Sequence, residues 1–309
     1  MRCDDISVII PLYNKRDEIG RTLRSVLSQS RLPREVIVID DGSTDGSGEV
    51  IEQIASPLVR LVRQENRGVS AARNRAMELA EGEWIALLDG DDEWLPDYLE
   101  SMCALRERFP QARAFGSGFK VRDERGRLSR GRFPAKTGVV DYFQEAMRCH
   151  VLIPSATLLH RTTALSLGGF PEGMKLGEDQ YLWTLLARKY SVAFLSEEHV
   201  IYSRAAQNRS AAIYTPEQSR HSLEELYDES QSKISNDYVA RVALGKALTV
   251  SAKGGSEEAR RALRVFASSR PNRFLWWKVR LLTALPVAWR AGVLALYNRM
   301  AWILARKGM

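Results

Sequence analysis

The first ninety residues constrain the fold more than any other stretch, because they switch repeatedly between two periodicities. Short runs rich in β-branched residues read as buried strands at 6–11, 35–40, 58–62 and 84–88. Between them, apolar residues recur at helical spacing. Ile19, Leu23, Val26 and Leu27 share one face over 17–30; Val50, Ile51 and Ile54 mark a second helix; an Ala-rich stretch over 68–79 is a third. Strands alternating with helices predict an α/β fold, with a mainly parallel sheet covered by flanking helices. Such sheets bind ligands beyond the carboxyl ends of their strands. The loops after Ile10, Ile39 and Leu88 are polar or acidic and are expected to converge there on one crevice.

The loop after the fourth strand carries the chemistry. Trp84-Ile85-Ala86-Leu87-Leu88 runs into Asp89-Gly90-Asp91-Asp92-Glu93-Trp94. Carboxylates crowded at a rigid strand end repel one another unless a cation sits among them. Hard oxygen donors on a short loop suit Mg²⁺ or Mn²⁺, and such ions keep positions that phosphate oxygens fill. A solvated acidic turn is the plain alternative. A second acidic pair, Glu178-Asp179, opens an amphipathic helix at 180–186, where the helix dipole favours negative charge.

Further along, residues 110–140 are turn-rich and basic, with short strands expected near 114–121. Strands are expected at 151–160, 191–195 and 200–203. From about Thr215 the strand signals stop and helical ones take over. The reading is therefore two regions, 1–214 and 215–309, the second a helical C-terminal extension.

Four segments occur in order: Ser7-Val8-Ile9-Ile10-Pro11-Leu12-Tyr13-Asn14, Val38-Ile39-Asp40-Asp41-Gly42-Ser43-Thr44-Asp45, Asn66-Arg67-Gly68-Val69-Ser70-Ala71-Ala72-Arg73-Asn74, and Leu88-Asp89-Gly90-Asp91-Asp92. Together they resemble the family 2 glycosyltransferases of GT-A fold, which are inverting and use nucleotide sugars. The resemblance covers roughly residues 6–210. It implies that Asp41 reads the nucleotide base, through the N3–H of uracil. It makes Asp89-Gly90-Asp91 the family's Asp-X-Asp element, with Asp91 the metal ligand and Asp89 facing the ribose or sugar. It makes Asp179 the catalytic base and Glu178 its orienting neighbour. The residues themselves leave other roles open: a loop-bracing turn for Asp40 and Asp45, a helix cap for Asp179, an exposed or bracing position for Asp92. Pro11 and Tyr13 end the first strand where an apolar wall for the base would stand. Arg67 and Arg73 are forks that match a diphosphate, or else ordinary helix-surface arginines. Tyr181 and Trp183 suit either a sugar platform or a helix core. Tyr202, Arg204 and Ser210 lie where the family places groups near the diphosphate, but the segment between Arg204 and Ser210 lacks the His often found there.

Charge separates the tail from the body. From Arg270 to Met309 there are eight Lys and Arg and no Asp or Glu, so the rest of this +7 chain carries one net negative charge. The body needs no polyanionic partner, and nucleic acid is not expected. The tail holds Trp276, Trp277, Trp289 and Trp302 among Leu, Val, Ala and basic residues, interrupted by Pro286 and Arg290. It is too broken for a spanning helix and suits an in-plane helix on an anionic membrane. A helical pair folded on the protein or a dimer interface is the alternative. Cys3, Cys103 and Cys149 form no disulfide framework, and the N-terminus lacks the apolar core of a signal peptide. A cytoplasmic location follows, with the tail peripheral on the inner face of the membrane. The expected activity is metal-assisted transfer from a nucleotide-sugar donor, a UDP-sugar above others, to a glycan or lipid-linked acceptor in cell-surface polysaccharide or glycoconjugate synthesis. A nucleotidyltransferase would want glycines after the first strand, where Leu12-Tyr13-Asn14-Lys15-Arg16 has none. A non-catalytic nucleotide-sugar-binding protein is the other alternative.

Overall fold

The computed structural model describes residues 2–204 and 219–306. The chain forms two compact units, one of residues up to Met174 together with the stretch beginning at Glu178, the other chiefly from His221 onward. The boundary expected at 214/215 lies outside the described residues.

The first unit is built on one sheet. β1 (Arg2–Leu12), β2 (Leu32–Asp40), β3 (Val59–Arg63) and β4 (Trp84–Leu87) are mutually parallel in the order β3-β2-β1-β4. Their positions follow from composition. Val8 to Ile10 and Val36 to Ile39 are fully buried, the pattern of central strands covered on both faces. β3 exposes Arg60 and Arg63 and takes the edge. The crossovers are α1 (Arg16–Leu27), α2 (Ser47–Ile54) and α3 (Val69–Leu79). α1 buries Ile19, Leu23 and Val26, the stripe its spacing predicts. Fully burying each such side chain contributes about 1.5–3 kcal/mol.

Beyond β4 the sheet becomes mixed. The later elements are β5 (Glu93–Trp94), α4 (Tyr98–Arg108), β6 (Ala112–Arg122), β7 (Leu128–Arg130), β8 (Gly138–Val140), α5 (Tyr142–Ala146), β9 (Thr157–His160), α6 (Arg161–Ser166), α7 (Glu178–Lys189) and β10 (Ser191–Ser203). The order continues β4-β9-β6-β10-β5, with β9 antiparallel to both neighbours and β6 parallel to β10. The fold is therefore the α/β class expected, parallel in the N-terminal half and mixed in the other.

Several local expectations change. The strand expected over 151–160 is β only from Thr157. Pro154, which lacks an N–H, opens a 3₁₀ turn before it and sets Ser155 aside for another use. The two closing strands are one strand, β10, with register irregularities against β6 between Leu195 and Val200. α4 has no counterpart in the sequence reading, because its apolar stripe is weak. It buries Tyr98, Leu99, Met102, Cys103 and Leu105. Cys103 there meets Cys3 of β1, two buried thiols 2.6 Å apart.

The second unit is helical among its described residues, with α8 (Lys233–Ala252), α9 (Ser256–Val265), α10 (Arg273–Ala284) and α11 (Val287–Arg306). Among the described residues, no helix is long and apolar enough to cross a membrane.

Candidate active site

The loops at the carboxyl ends of β1, β2 and β4 lock together through side-chain hydrogen bonds. Asn14 adopts a left-handed conformation (φ 50°). Its amide N donates to Ser43 Oγ at 3.0 Å and its Oδ1 accepts from Thr44 N at 2.8 Å. Asp45 Oδ2 accepts from Arg16 N, and Lys15 N donates to Ser47 Oγ. Asp40 Oδ1 accepts from Ser43 N at 2.9 Å. Asp40 and Asp45 thus brace the loop.

Asp41 does more. Its backbone N donates to Leu12 O, fixing it beside the end of β1. Its carboxylate is buried and accepts from Gln64 Nε2 (2.7 Å), Arg67 N (2.9 Å) and Gly68 N (2.8 Å). The charge therefore sits where α3 begins, which suits the helix dipole. A carboxylate has about four lone-pair sites. Three are taken, so one more N–H can be accepted. Pro11 is half-buried and Tyr13 is 40% exposed on the same strand end.

On the other side of β1, the loop after β4 is held from three elements. Thr22 Oγ1 of α1 donates to Asp92 O at 2.8 Å and lies 3.1 Å from Gly90 O. Ser155 Oγ accepts from Asp89 N at 3.0 Å and donates to Asp92 Oδ2 at 2.5 Å. Ser203 N of β10 donates to Asp92 Oδ1 at 2.7 Å. A Cβ on Gly90 would stand 3.4 Å from Pro11 O, an ordinary contact, so the packing of loop over strand does not by itself demand glycine there. Asp92 is completely buried, which rules out the exposed position the sequence left open. Burial, then the Asp91 and Asp89 charges, push its carboxyl well above the usual range. It is a bracing residue, and Thr22, Ser155 and Ser203, its partners, are ones the sequence did not signal.

Asp91 faces Lys15 Nζ at 2.9 Å. Burial raises its carboxyl, Lys15 opposes this and the Asp89 charge adds to it. Asp89 reaches the second acidic pair through Arg73. Arg73 Nη2 donates to Asp89 Oδ1 at 2.7 Å and Nη1 to Glu178 Oε1 at 3.3 Å, while the guanidinium lies 5.1 Å from the centre of the Phe170 ring. Arg73 is only 3% exposed, so it is no ordinary surface arginine, and its Nε finds no hydrogen-bond partner among the described residues. Burial works against its charge, but Asp89 and Glu178 outweigh burial and raise its pKa. Burial pushes the Glu178 carboxyl up to about 7, the Asp179 charge adding to this and Arg73 opposing it. Burial also raises Asp179, whose Oδ1 accepts from Gln180 N at 2.8 Å.

The arrangement brings Asp89, Asp91, Glu178 and Asp179 to the strand-end edge where Asp41 also lies, Asp41 after β2 and Asp89 after β4, on the two strands that flank β1. Arg67 differs from Arg73. It lies at the surface, its side chain 63% exposed, and pairs with Glu172 at 2.9 Å. Trp183 is fully buried against Phe170 and Tyr181 is also buried, so both are helix core and not an open sugar platform. Trp94 is structural: its Nε1 donates to Ser155 O and its ring stacks on Tyr98. Tyr202 meets Phe119 edge-on, Arg204 N donates to Arg122 O, and Ser210 lies outside the described residues. A groove of about 340 Å³ lined by Val139, Asp141, Arg188 and Tyr190 sits at the far end of α7 from Glu178.

Among the described residues no group of three or more His, Cys, Asp or Glu side chains is arranged to hold a metal. Asp89 and Asp91 are nevertheless hard oxygen donors of the type a divalent ion takes. Five carboxyl groups (Asp89, Asp91, Asp92, Glu178 and Asp179) lie near two cations, Lys15 and Arg73; burial is the main cause of the raised carboxyls of Asp91, Asp92, Glu178 and Asp179, and neighbouring carboxylates add to it.

The model of the family described as glycosyl transferase family 2 matches residues 7–183. The uncharacterized glycosyltransferase YibD of Escherichia coli is 43% identical over 102 residues, 32% of this chain and 30% of that protein. The succinoglycan biosynthesis protein ExoO of Rhizobium meliloti is 40% identical over 99 residues, 32% of this chain and 28% of that protein. The chain thus spans about a third of the length of such relatives. Among solved structures, S. aureus TarS 1-349 in complex with UDP-GlcNAc superposes with a TM-score of 0.62 at 21% identity, covering 93% of this chain and 82% of that one. The mannosyltransferase PcManGT from Pyrobaculum calidifontis, in complex with GDP-Man and Mn²⁺, gives 0.54 at 19% identity, covering 96% and 80%. These two likenesses establish a GT-A fold.

Proposed function

This chain belongs to glycosyl transferase family 2, and on that premise we propose that it moves a sugar from a nucleotide-sugar donor to a hydroxyl of a glycan or lipid-linked acceptor, with inversion. The observation that carries the reading is the Asp89–Arg73–Glu178 bridge, which ties the acidic loop after β4 to the acidic start of α7. A transfer of this kind needs charge control at a leaving diphosphate and a base at the acceptor, and the bridge sets the two acidic centres side by side.

Asp41 reads the base. Its one remaining acceptor position suits the N3–H of uracil, so a UDP-sugar is the favoured donor, as the UDP-GlcNAc complex of TarS also supports. Pro11 and Tyr13 form the wall beside it. Asp91 holds a divalent ion, Mn²⁺ or Mg²⁺; PcManGT, solved with Mn²⁺, supports this. Bound there, such an ion supplies positive charge to the departing diphosphate. Asp89 faces the ribose or sugar, and Arg73 positions Asp89 and Glu178. Arg67, at the surface, contacts the diphosphate. Asp179 accepts the proton of the attacking hydroxyl, and its raised carboxyl makes it a stronger base than an ordinary Asp. Assembly of cell-surface polysaccharide or glycoconjugate is the setting, which the succinoglycan relative supports. A cytoplasmic location belongs to the same reading, and three free cysteines support it.

Asp179→Asn tests the proposal. The hypothesis expects donor affinity within about twofold of wild type and a transfer rate lower by about 10²–10⁴, read as nucleoside diphosphate released from a UDP-sugar panel. Near-normal turnover in that variant would refute the assignment of the base. Donor binding without diphosphate release by the unaltered protein, across a panel of donors and acceptors, would favour the non-catalytic alternative.

A further inference from the structure

The last described helices present an inverted amphipathic pattern. On α10 the residues turned inward are Val279, Leu282 and Thr283. The opposite stripe, Phe274, Trp277 and Leu281, is 70%, 42% and 63% exposed. On α11, Trp289, Val293, Leu296 and Tyr297 are exposed at the same spacing. Of the exposed large apolar side chains among the described residues, most lie between Phe274 and Tyr297. A concentration of this kind marks an interaction site on a folded protein.

Cations are set among these rings. Lys278 Nζ lies 4.5 Å from the Phe274 ring centre and 4.2 Å from that of Tyr297, which joins the two helices' stripes. The Arg280 guanidinium lies over both Trp276 and Trp277. Arg273 and Arg280 are exposed. Arg290 is not part of the face. It is buried and donates to Leu285 O, Thr283 O, Ser251 O and Ser256 Oγ, closing the ends of α8 and α10.

We propose that the Phe274–Tyr297 face docks in the plane of an anionic phospholipid surface, with the aromatic and Leu side chains in the headgroup–acyl boundary and Arg273, Lys278 and Arg280 on lipid phosphates. Charge decides the occupant. From Arg270 to Met309 the chain has no Asp or Glu. A second copy related by a two-fold axis would set basic residues against basic residues with no acid of this segment to pair them. An anionic bilayer offers both the apolar layer and the negative charge. No helix among the described residues can span it, so the protein lies on the surface. The inference goes beyond the transferase reading and does not depend on it.

Co-sedimentation of the full chain, without any sugar donor, tests it. The vesicles are phosphatidylcholine alone, and phosphatidylcholine with an equal part of phosphatidylglycerol. Binding is expected to the anionic vesicles alone. Arg273→Gln, Lys278→Gln and Arg280→Gln together should weaken it on the order of 100-fold, about fivefold per cation. Trp277→Ser and Leu281→Ser should each weaken it roughly tenfold. Leu128→Ser, an exposed apolar residue on β7, should leave binding unchanged. All these positions are exposed or half-buried, and circular dichroism checks each fold. Equal binding to neutral vesicles overturns the charge argument. Binding indifferent to the tail substitutions overturns the surface. No vesicle binding, with a dimer in sedimentation velocity that Leu281→Ser dissociates, assigns the face to a second copy instead.

Discussion

Replacing Arg73 by methionine probes the core of the site. Methionine keeps much of the buried volume but removes the charge that Asp89 and Glu178 share at 2.7 and 3.3 Å. Breaking a buried ion pair from one side costs about 3–5 kcal/mol, because the remaining charge is left uncompensated. The Asp89 side chain is 28% exposed and partly hydrated, whereas that of Glu178 is 15% exposed. The lower end, about 3 kcal/mol near pH 8, is therefore expected. The pH dependence carries the sharper test. In the folded wild type the Glu178 carboxyl stands at about 7, above its ordinary 4.5. A carboxyl raised by folding contributes stability that is fully present below the unfolded value and is lost as pH rises through the folded one. Removing Arg73 raises Glu178 further, so the variant loses more stability above about pH 7 than the wild type does. Near pH 5 Glu178 keeps its proton in both folded proteins, and the deficit shrinks. Urea unfolding followed by tryptophan fluorescence, at about pH 5 and about pH 8, measures the difference. Arg73→Lys, a point charge without the fork, should recover part of it. A deficit below about 1 kcal/mol, or one equal at both pH values, would show that Arg73 does not neutralise these carboxyls.

Other outcomes follow from the same geometry. Asp91→Asn should abolish the effect of Mn²⁺ on donor affinity in calorimetric titration; an undiminished Mn²⁺ effect would remove Asp91 as the ligand. Asp41→Asn turns an amide NH₂ toward one of three N–H donors, so it should destabilise by about 1–3 kcal/mol and erase preference for UDP over CDP in competition binding. Retained preference would leave Asp41 as a loop brace. Arg290→Gln loses most of the bonds that close α8 and α10, leaves buried carbonyls without a donor and should lower the stability of the helical unit by about 1–3 kcal/mol, seen in thermal unfolding by circular dichroism, without changing donor binding.

Much of the first unit was legible because its signals are local. β1, β2 and β4 are runs whose burial on both faces needs no polar alternation, β3 keeps its arginines outward at the edge, and α1 buries the stripe its spacing marked. The aspartates at strand ends were legible as acidic loops closing apolar strands, but their roles were not, since Asp40, Asp45 and Asp92 are loop braces. α4 was not, since its buried residues include Tyr98, Met102 and Cys103 in a segment with little amphipathic contrast. β9 is shorter than its apolar run because Pro154, which the sequence does display, opens a turn that confines the strand to the residues after it. Asp92 shows the limit most clearly. Beside Asp91 in the same loop, it is chemically identical to it in sequence. Only partners 111 and 63 residues away, Ser203 and Ser155, make one a buried brace and leave the other facing Lys15.

By itself the sequence determined the alternation of strands and helices over the first ninety residues, the acidic loops at the strand ends, and the basic, acid-free end of the chain. These are properties of neighbours along the chain, set by backbone periodicity and by what a strand end can tolerate. The tertiary structure decided which charges meet. Arg73 and Glu178 are 105 residues apart and share a hydrogen bond. Arg67, six positions earlier than Arg73, stays at the surface. Arg290, one of the basic residues of the tail, is used up by helix ends. Electrostatic partnership depends on distance and burial, and neither exists until the chain has folded.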